Sequence, residues 1–156
     1  MLRVLLICTG NTCRSPMAEA MLKARVKAGG LEDKVLVLSA GLAAFGELPS
    51  SAHAQTVMSK RGLDLFAHRS RPLLPELVKA ADIILTMTAA HKRAVAARAP
   101  EAAGKVYTMA EYAGEKGDVA DPFGGSEELY EACAVEIERF VEKIWQKIAQ
   151  LAGKSE

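Results

Sequence analysis

The stretch Val4-Leu5-Leu6-Ile7-Cys8-Thr9-Gly10-Asn11-Thr12-Cys13-Arg14-Ser15-Pro16 decides the fold of this chain. Val4 to Ile7 is a short apolar run with β-branched ends, the pattern of a buried strand. From Pro16 the sequence Met17-Ala18-Glu19-Ala20-Met21-Leu22-Lys23-Ala24 reads as a helix. Ser15 suits its N-cap, and Pro16 suits the first helical position, where no N–H is needed. Between strand and helix lies a tight loop in which Gly10 can take a left-handed backbone and Asn11 tolerates one. Such a strand, loop and helix turn backbone N–H groups toward one point, and the helix dipole adds positive potential there. The stretch therefore predicts an anion cradle.

A cysteine stands at one end of that cradle and an arginine at the other, with five residues between Cys8 and Arg14. Thiols beside helix N-termini have pKa values lowered to about 3.5–7.5 in known cases. Arginine offers a planar fork matched to phosphate oxygens. A nucleophile beneath a bound tetrahedral oxyanion is the arrangement for phosphoryl transfer through a covalent phosphocysteine. A structural cysteine in a strand-to-helix turn is the plainer alternative. The preceding strand, Gly10 and the helix-opening Ser15-Pro16 favour the nucleophile.

The stretch Cys8 to Pro16 resembles the phosphate loop of the low-molecular-weight protein tyrosine phosphatase family. Thr12, where most members carry a bulkier aliphatic residue, is similar to the branch of bacterial protein-arginine phosphatases. The resemblance extends over nearly the whole chain. It implies Cys8 as nucleophile, and Arg14 with the loop Thr9, Gly10, Asn11, Thr12, Cys13 and Ser15 as the phosphate- and substrate-binding set. Ser39-Ala40-Gly41 matches a segment whose serine braces the loop asparagine, here Asn11. A histidine at His68 is implied to hydrogen-bond into the loop network. Both are supporting roles.

Outward from the loop, Val35 to Leu38 reads as a second strand, Asp82 to Met87 as a third and Val106-Tyr107 as a fourth. Between them lie predicted helices from a Ser50 or Ser51 cap to about Arg61, over Pro75 to Lys79, and over Thr88 to Arg98. Pro100 closes the last of these. Alternating strands and helices predict a three-layer α/β/α domain spanning residues 1–156, with a four-stranded parallel sheet and the site at the strand C-termini. Ser126 caps a final helix to about Leu151, with Leu129, Cys133, Ile137, Phe140, Val141, Ile144, Ile148 and Leu151 on one apolar stripe. Cys133 is thus read as core packing.

Glu111 to Gly125 is rich in glycine and reads as a loop. Within it, Asp121-Pro122-Phe123 resembles the family's acid loop. That implies Asp121 as the general acid, stiffened by Pro122, with Phe123 as a pocket wall. Asp118 lacks a following proline and is the weaker candidate. From the residues alone, an aspartate before proline is better read as a turn former.

Composition sets the limits. The chain has 156 residues and a net charge of +1. That balance gives no electrostatic footprint for nucleic acid or membrane. Its apolar runs are far short of a membrane span, and the N-terminus lacks the pattern of a signal peptide. Three cysteines without metal spacing suit a reducing compartment. The expectation is a cytoplasmic monomer without metal or cofactor, and the resemblance implies that it hydrolyses phosphoarginine in proteins through a phosphocysteine, with phosphotyrosine as the alternative substrate. Cys8 and Cys13 end one tight loop, so reversible inactivation through a Cys8–Cys13 disulfide is also expected.

Three rival functions remain. A tyrosine phosphatase would run the same chemistry on another leaving group. The animal members of the family usually carry a tyrosine pair after the acid-loop proline, where this chain has Phe123-Gly124. An arsenate reductase would need further cysteines near the third strand, and Val78 to Arg93 holds none. A phosphate-binding regulatory module would not need both Cys8 and Asp121.

Overall fold

The computed structural model describes residues 1–154. The last two positions of the expected 1–156 span lie outside the described residues. In chain order the elements are β1 (Leu2–Cys8), α1 (Arg14–Ala28), β2 (Val35–Gly41), α2 (Ala52–Ser59), α3 (Pro75–Ala80), β3 (Ile83–Thr86) and α4 (Ala89–Arg98). A 3-10 turn (Pro100–Lys105), β4 (Val106–Thr108), α5 (Met109–Tyr112) and α6 (Glu127–Lys154) follow.

The four strands pair in parallel in the order β2-β1-β3-β4. Cys8 pairs with Gly41, Ile7 with Thr86, and Thr86 with Thr108, so the strand ends share one edge. The chain winds first toward β2 and then back past β1 to β3. The end of β1 is thus the point where winding reverses, the usual crevice for ligands in an open parallel sheet.

Alternation along β1 divides the two cores. Val4, Leu6 and Cys8 face a core with residues of α1, α2, α5 and α6, while Leu5 and Ile7 face α3, α4 and the 3-10 turn. The α6 face at this first core includes Ile137, Phe140, Ile144 and Ile148, each at most 2% exposed. Burial of such side chains stabilises by roughly 1.5–3 kcal/mol apiece. Two members of the expected stripe fall outside it. Leu129 and Leu151 are exposed, and Tyr130 and Ala152 are buried instead. One residue rotates the helix by about 100°, which is enough to move a side chain off the face.

Local boundaries also differ from the sequence reading. Helix α1 begins two residues early, with Cys13 at the N-cap and no side-chain cap bond. Ser15 is inside the first turn, and Pro16 still falls among the first four residues, whose N–H groups have no intrahelical partner. Ser51 does cap α2, but its hydroxyl makes no cap bond and faces Cys13 Sγ at 3.3 Å. Strand β2 runs on to Gly41, so the Ser39-Ala40-Gly41 segment is sheet. The expected loop from Glu111 starts inside the one-turn helix α5, opened by a Thr108–Glu111 capping box. Ser126 Oγ accepts the Leu129 N–H at 3.3 Å at the start of α6. No described helix is long and apolar enough to cross a membrane.

Candidate active site

The loop after β1 is shaped by Asn11 rather than by Gly10. Asn11 has φ +59°, and no other non-glycine described residue has a positive φ. Its side chain, fully buried, makes that conformation specific. Oδ1 accepts the Arg71 N–H at 3.0 Å. This fixes the amide orientation, so Nδ2 donates to Ser15 Oγ at 2.8 Å and to Ser39 Oγ at 2.9 Å. The Asn11 carbonyl accepts from His68 Nε2 at 2.8 Å.

The direction of these bonds sets the next ones. Ser15 Oγ accepts from Asn11, so its own proton is free for Cys8 Sγ, 2.9 Å away. The Asn11 N–H also donates to Cys8 Sγ, at 3.3 Å. The sulfur therefore faces two donors. Ser39, likewise an acceptor from Asn11, donates its hydroxyl hydrogen bond to Glu19, which also pairs with Lys23 at 2.6 Å. The neighbouring Gly41 has no room for a side chain. A Cβ there would stand 2.6 Å from Thr9 O and 3.0 Å from Asn11 N, both loop backbone.

Arg14, in the first turn of α1, is 4% exposed. Its Nη1 donates to Val119 O at 2.9 Å, and its Nη2 stands 3.6 Å from Asp121 Oδ2. The guanidinium thus joins the phosphate loop to the acid loop. The two aspartates of that loop have different surroundings. Asp118 Oδ1 accepts the Ala89 N–H at 2.9 Å and so caps α4. Asp121 is half exposed, accepts the Phe123 N–H at 3.0 Å and lines the cavity.

That cavity has a volume of about 200 Å³ and is walled by Cys8, Thr9, Gly10, Thr12, Cys13, Arg14, Asp121 and the largely exposed Phe123. Asn11, Ser15, Ser39 and His68 lie behind the wall and hold it. A larger groove of about 640 Å³ between α2 and residues 62–66 contains none of these groups, so chemistry and not size marks the site.

A family model for low molecular weight phosphotyrosine protein phosphatases matches residues 3–154. The chain belongs to this family. It is 41% identical to the protein-arginine-phosphatase of Geobacillus stearothermophilus, over 94% of this chain and 95% of that one. It is 33% identical to the low molecular weight protein-tyrosine-phosphatase Etp of Escherichia coli, over 92% of both. Among solved structures it resembles a cysteine-to-serine mutant of the YwlE arginine phosphatase with a phosphorylated active-site serine. The TM-score is 0.90 at 38% identity, over 95% of this chain and 96% of that one. The expected three-layer fold with a four-stranded parallel sheet is thus the fold of this phosphatase family.

Around this candidate site stand groups that the sequence reading did not assign to it. His91 Nε2 lies 2.8 Å from Thr9 Oγ1. Burial holds the imidazole below its ordinary pKa, and the Arg14 guanidinium adds to that effect. The Tyr130 hydroxyl is 3.3 Å from Cys13 Sγ, and burial, followed by that contact, pushes it up to about 12. Cys133, read as core, is also pushed up to about 12 by burial, and its thiol points at Ala120 O, beside Asp121. A neutral thiol of this kind is a spacer beneath the acid loop and not a second nucleophile.

Proposed function

We propose that this chain is a protein-arginine phosphatase, a single domain acting as a cytoplasmic monomer on phosphorylated proteins. One observation carries the reading: a single small cavity holds Cys8, Arg14 and Asp121 together with the short polar side chain of Thr12. Arg14 and the loop's backbone N–H groups, apart from that of Asn11, which faces the sulfur, bind the phosphoryl oxygens. Cys8 Sγ attacks phosphorus, and the bond from phosphorus to the guanidino nitrogen breaks. Asp121 gives that nitrogen its proton, and arginine leaves. Asp121, now a carboxylate, takes a proton from water, whose oxygen attacks phosphorus. The phosphorus–sulfur bond breaks, inorganic phosphate forms, and Cys8 is regenerated. Ser15 O–H and Asn11 N–H stabilise the sulfur as negative charge returns to it. The route calls for neither metal nor cofactor. Three free, buried thiols suit the reducing compartment proposed.

A guanidinium leaving group is planar but polar, so it needs acceptors at the cavity wall. Thr12 supplies a hydroxyl oxygen and little bulk, and Asp121 supplies the carboxyl oxygen that does not carry its proton. A site built to pair polar groups discriminates strongly, because a wrong substrate leaves them unmatched. The 41% identity to a named protein-arginine-phosphatase supports the same choice.

Tyrosine phosphatase is the second reading, favoured by the flat, exposed ring of Phe123 at the mouth. An equimolar mixture of phosphoarginine and phosphotyrosine peptides separates the two. The wild type should consume phosphoarginine first. Thr12→Ile should lower that rate by about tenfold or more and spare or raise the rate on phosphotyrosine. Preference of the wild type for phosphotyrosine, or equal losses in Thr12→Ile, overturns the arginine assignment.

A further inference from the structure

His91 has no part in the chemistry described above, yet its placement is specific. It stands on α4, and the loop residue it meets, Thr9, is 82 positions earlier in the chain. The imidazole is 8% exposed. Nε2 is 2.8 Å from Thr9 Oγ1, while Nδ1 is buried and has no hydrogen-bond partner among the described residues. Thr9 itself is exposed and lines the cavity next to Cys8. A buried side chain thus grips an accessible hydroxyl on the wall of the phosphate site.

The orphaned Nδ1 tells which way the bond runs. An imidazolium would bury a charged N–H at Nδ1 with no acceptor, and burial beside Arg14 already disfavours that form. Of the two neutral tautomers, one places an N–H at Nδ1 and leaves it unmatched, an arrangement that is rare in proteins. The other places the proton on Nε2, aimed at Thr9 Oγ1. The Thr9 hydroxyl is then an acceptor toward His91, and its own proton must turn elsewhere.

We infer that His91 and Thr9 act as one positioning unit, in which the imidazole donates Nε2–H to the Thr9 hydroxyl and so directs the Thr9 proton to a phosphoryl oxygen bound in the cavity. The inference rests on phosphate occupying this cavity, as proposed above, but not on arginine being the leaving group. Thr9 touches the substrate, and His91 acts through Thr9. The unit adds a neutral, pre-aimed donor to a site otherwise built from backbone N–H groups and one guanidinium. Its partner chemistry is an anionic oxygen of a phosphate monoester, a phosphoramidate or inorganic phosphate itself. It also explains why the imidazole is tolerated in a buried place with one nitrogen unmatched.

The test uses the full chain and inorganic phosphate as a competitive inhibitor of aryl phosphate turnover. A neutral hydrogen bond contributes about 0.5–1.5 kcal/mol net, or roughly two- to tenfold in an equilibrium constant. Thr9→Val and His91→Leu should each raise the phosphate inhibition constant by that factor. The double variant should be no worse than the weaker-binding single one, since both remove the same donor. His91→Gln, whose Nε2 can occupy the place of the imidazole Nε2, should restore phosphate binding, and His91→Asn, a bond shorter, should not. Losses that add in the double variant, no change in Thr9→Val, or equal behaviour of the Gln and Asn variants each overturn the unit. Because inorganic phosphate carries no leaving group, these outcomes are independent of whether the enzyme prefers phosphoarginine. Failure of phosphate to compete in the wild type would instead count against the phosphate-site reading itself.

Discussion

Replacing Asn11 with glycine separates the two jobs of this residue. Glycine adopts the left-handed backbone freely, so the variant keeps the loop path and removes only the side chain. Lost with it are the bonds to Ser15 Oγ, Ser39 Oγ and the Arg71 N–H, all in a fully buried place. At the usual net worth of a hydrogen bond, three such losses come to roughly 2–4 kcal/mol. In a domain of this size that lowers Tm by roughly 5–15 °C. Asn11→Ala should fall further by about 1 kcal/mol, because alanine must also be held at a positive φ. Calorimetry of the three proteins reads both differences. Activity on an aryl phosphate, measured well below the lowest Tm, reads the chemical consequence. Without Asn11 Nδ2 as its donor, Ser15 can spend its hydroxyl elsewhere, and the aim of that proton at Cys8 Sγ is lost. A fall in kcat/KM of about tenfold or more is expected even where the variant is fully folded. Should Asn11→Gly melt within about 2 °C of the wild type and keep its activity, the buried network does not hold the loop and the argument fails.

Three further outcomes are expected. Asp121→Ala should lose about 10²–10⁴ in rate, the usual worth of general acid–base help, while Asp118→Ala, which removes only a cap on α4, should lose stability and little rate; the reverse ranking in steady-state assays would name the wrong carboxylate. His91 is held below its ordinary pKa in the folded protein, so the unfolded chain takes up the proton first as pH falls. Its contribution is complete above the unfolded value of 6.5 and is lost on acidification, with a slope of at most about 1.4 kcal/mol per pH unit, and melting curves across that range should be flatter for His91→Gln; an unchanged slope counts against it. Mild peroxide should inactivate reversibly through a Cys8–Cys13 disulfide, faster in Tyr130→Phe, where Cys13 Sγ has lost a hydrogen-bond partner; peptide mapping that finds only sulfinic acid at Cys8 refutes it.

Much of the fold was legible because the decisive chemistry is contiguous. Cys8 and Arg14 share a short loop between an apolar strand and a helix, so spacing and local pattern suffice. Asp121 was distinguishable from Asp118 by its proline, but the physical reason for the difference is the Ala89 N–H that occupies Asp118, which only the folded chain brings there. Local preference offers Ser15, and Ser50 or Ser51, as helix caps. The Ser15 and Ser51 hydroxyls are instead drawn to thiols, Ser15 to Cys8 and Ser51 to Cys13, through contacts that no local rule contains. The left-handed residue is Asn11 because its side chain has three fixed partners, whereas flexible Gly10 has none. His91 carried no signal in sequence, since its partner Thr9 is distant in the chain. The Thr108–Glu111 capping box was present as a local pattern and shortens the loop that precedes the acid residues.

The most direct measurement is a rapid denaturing quench of the wild-type protein mixed with a peptide whose phosphoarginine carries labelled phosphorus. The account predicts that label first appears on the proteolytic fragment holding Cys8 and then leaves it as inorganic phosphate accumulates. Release of phosphate with no labelled protein at any time, or label on a residue other than Cys8, would contradict it.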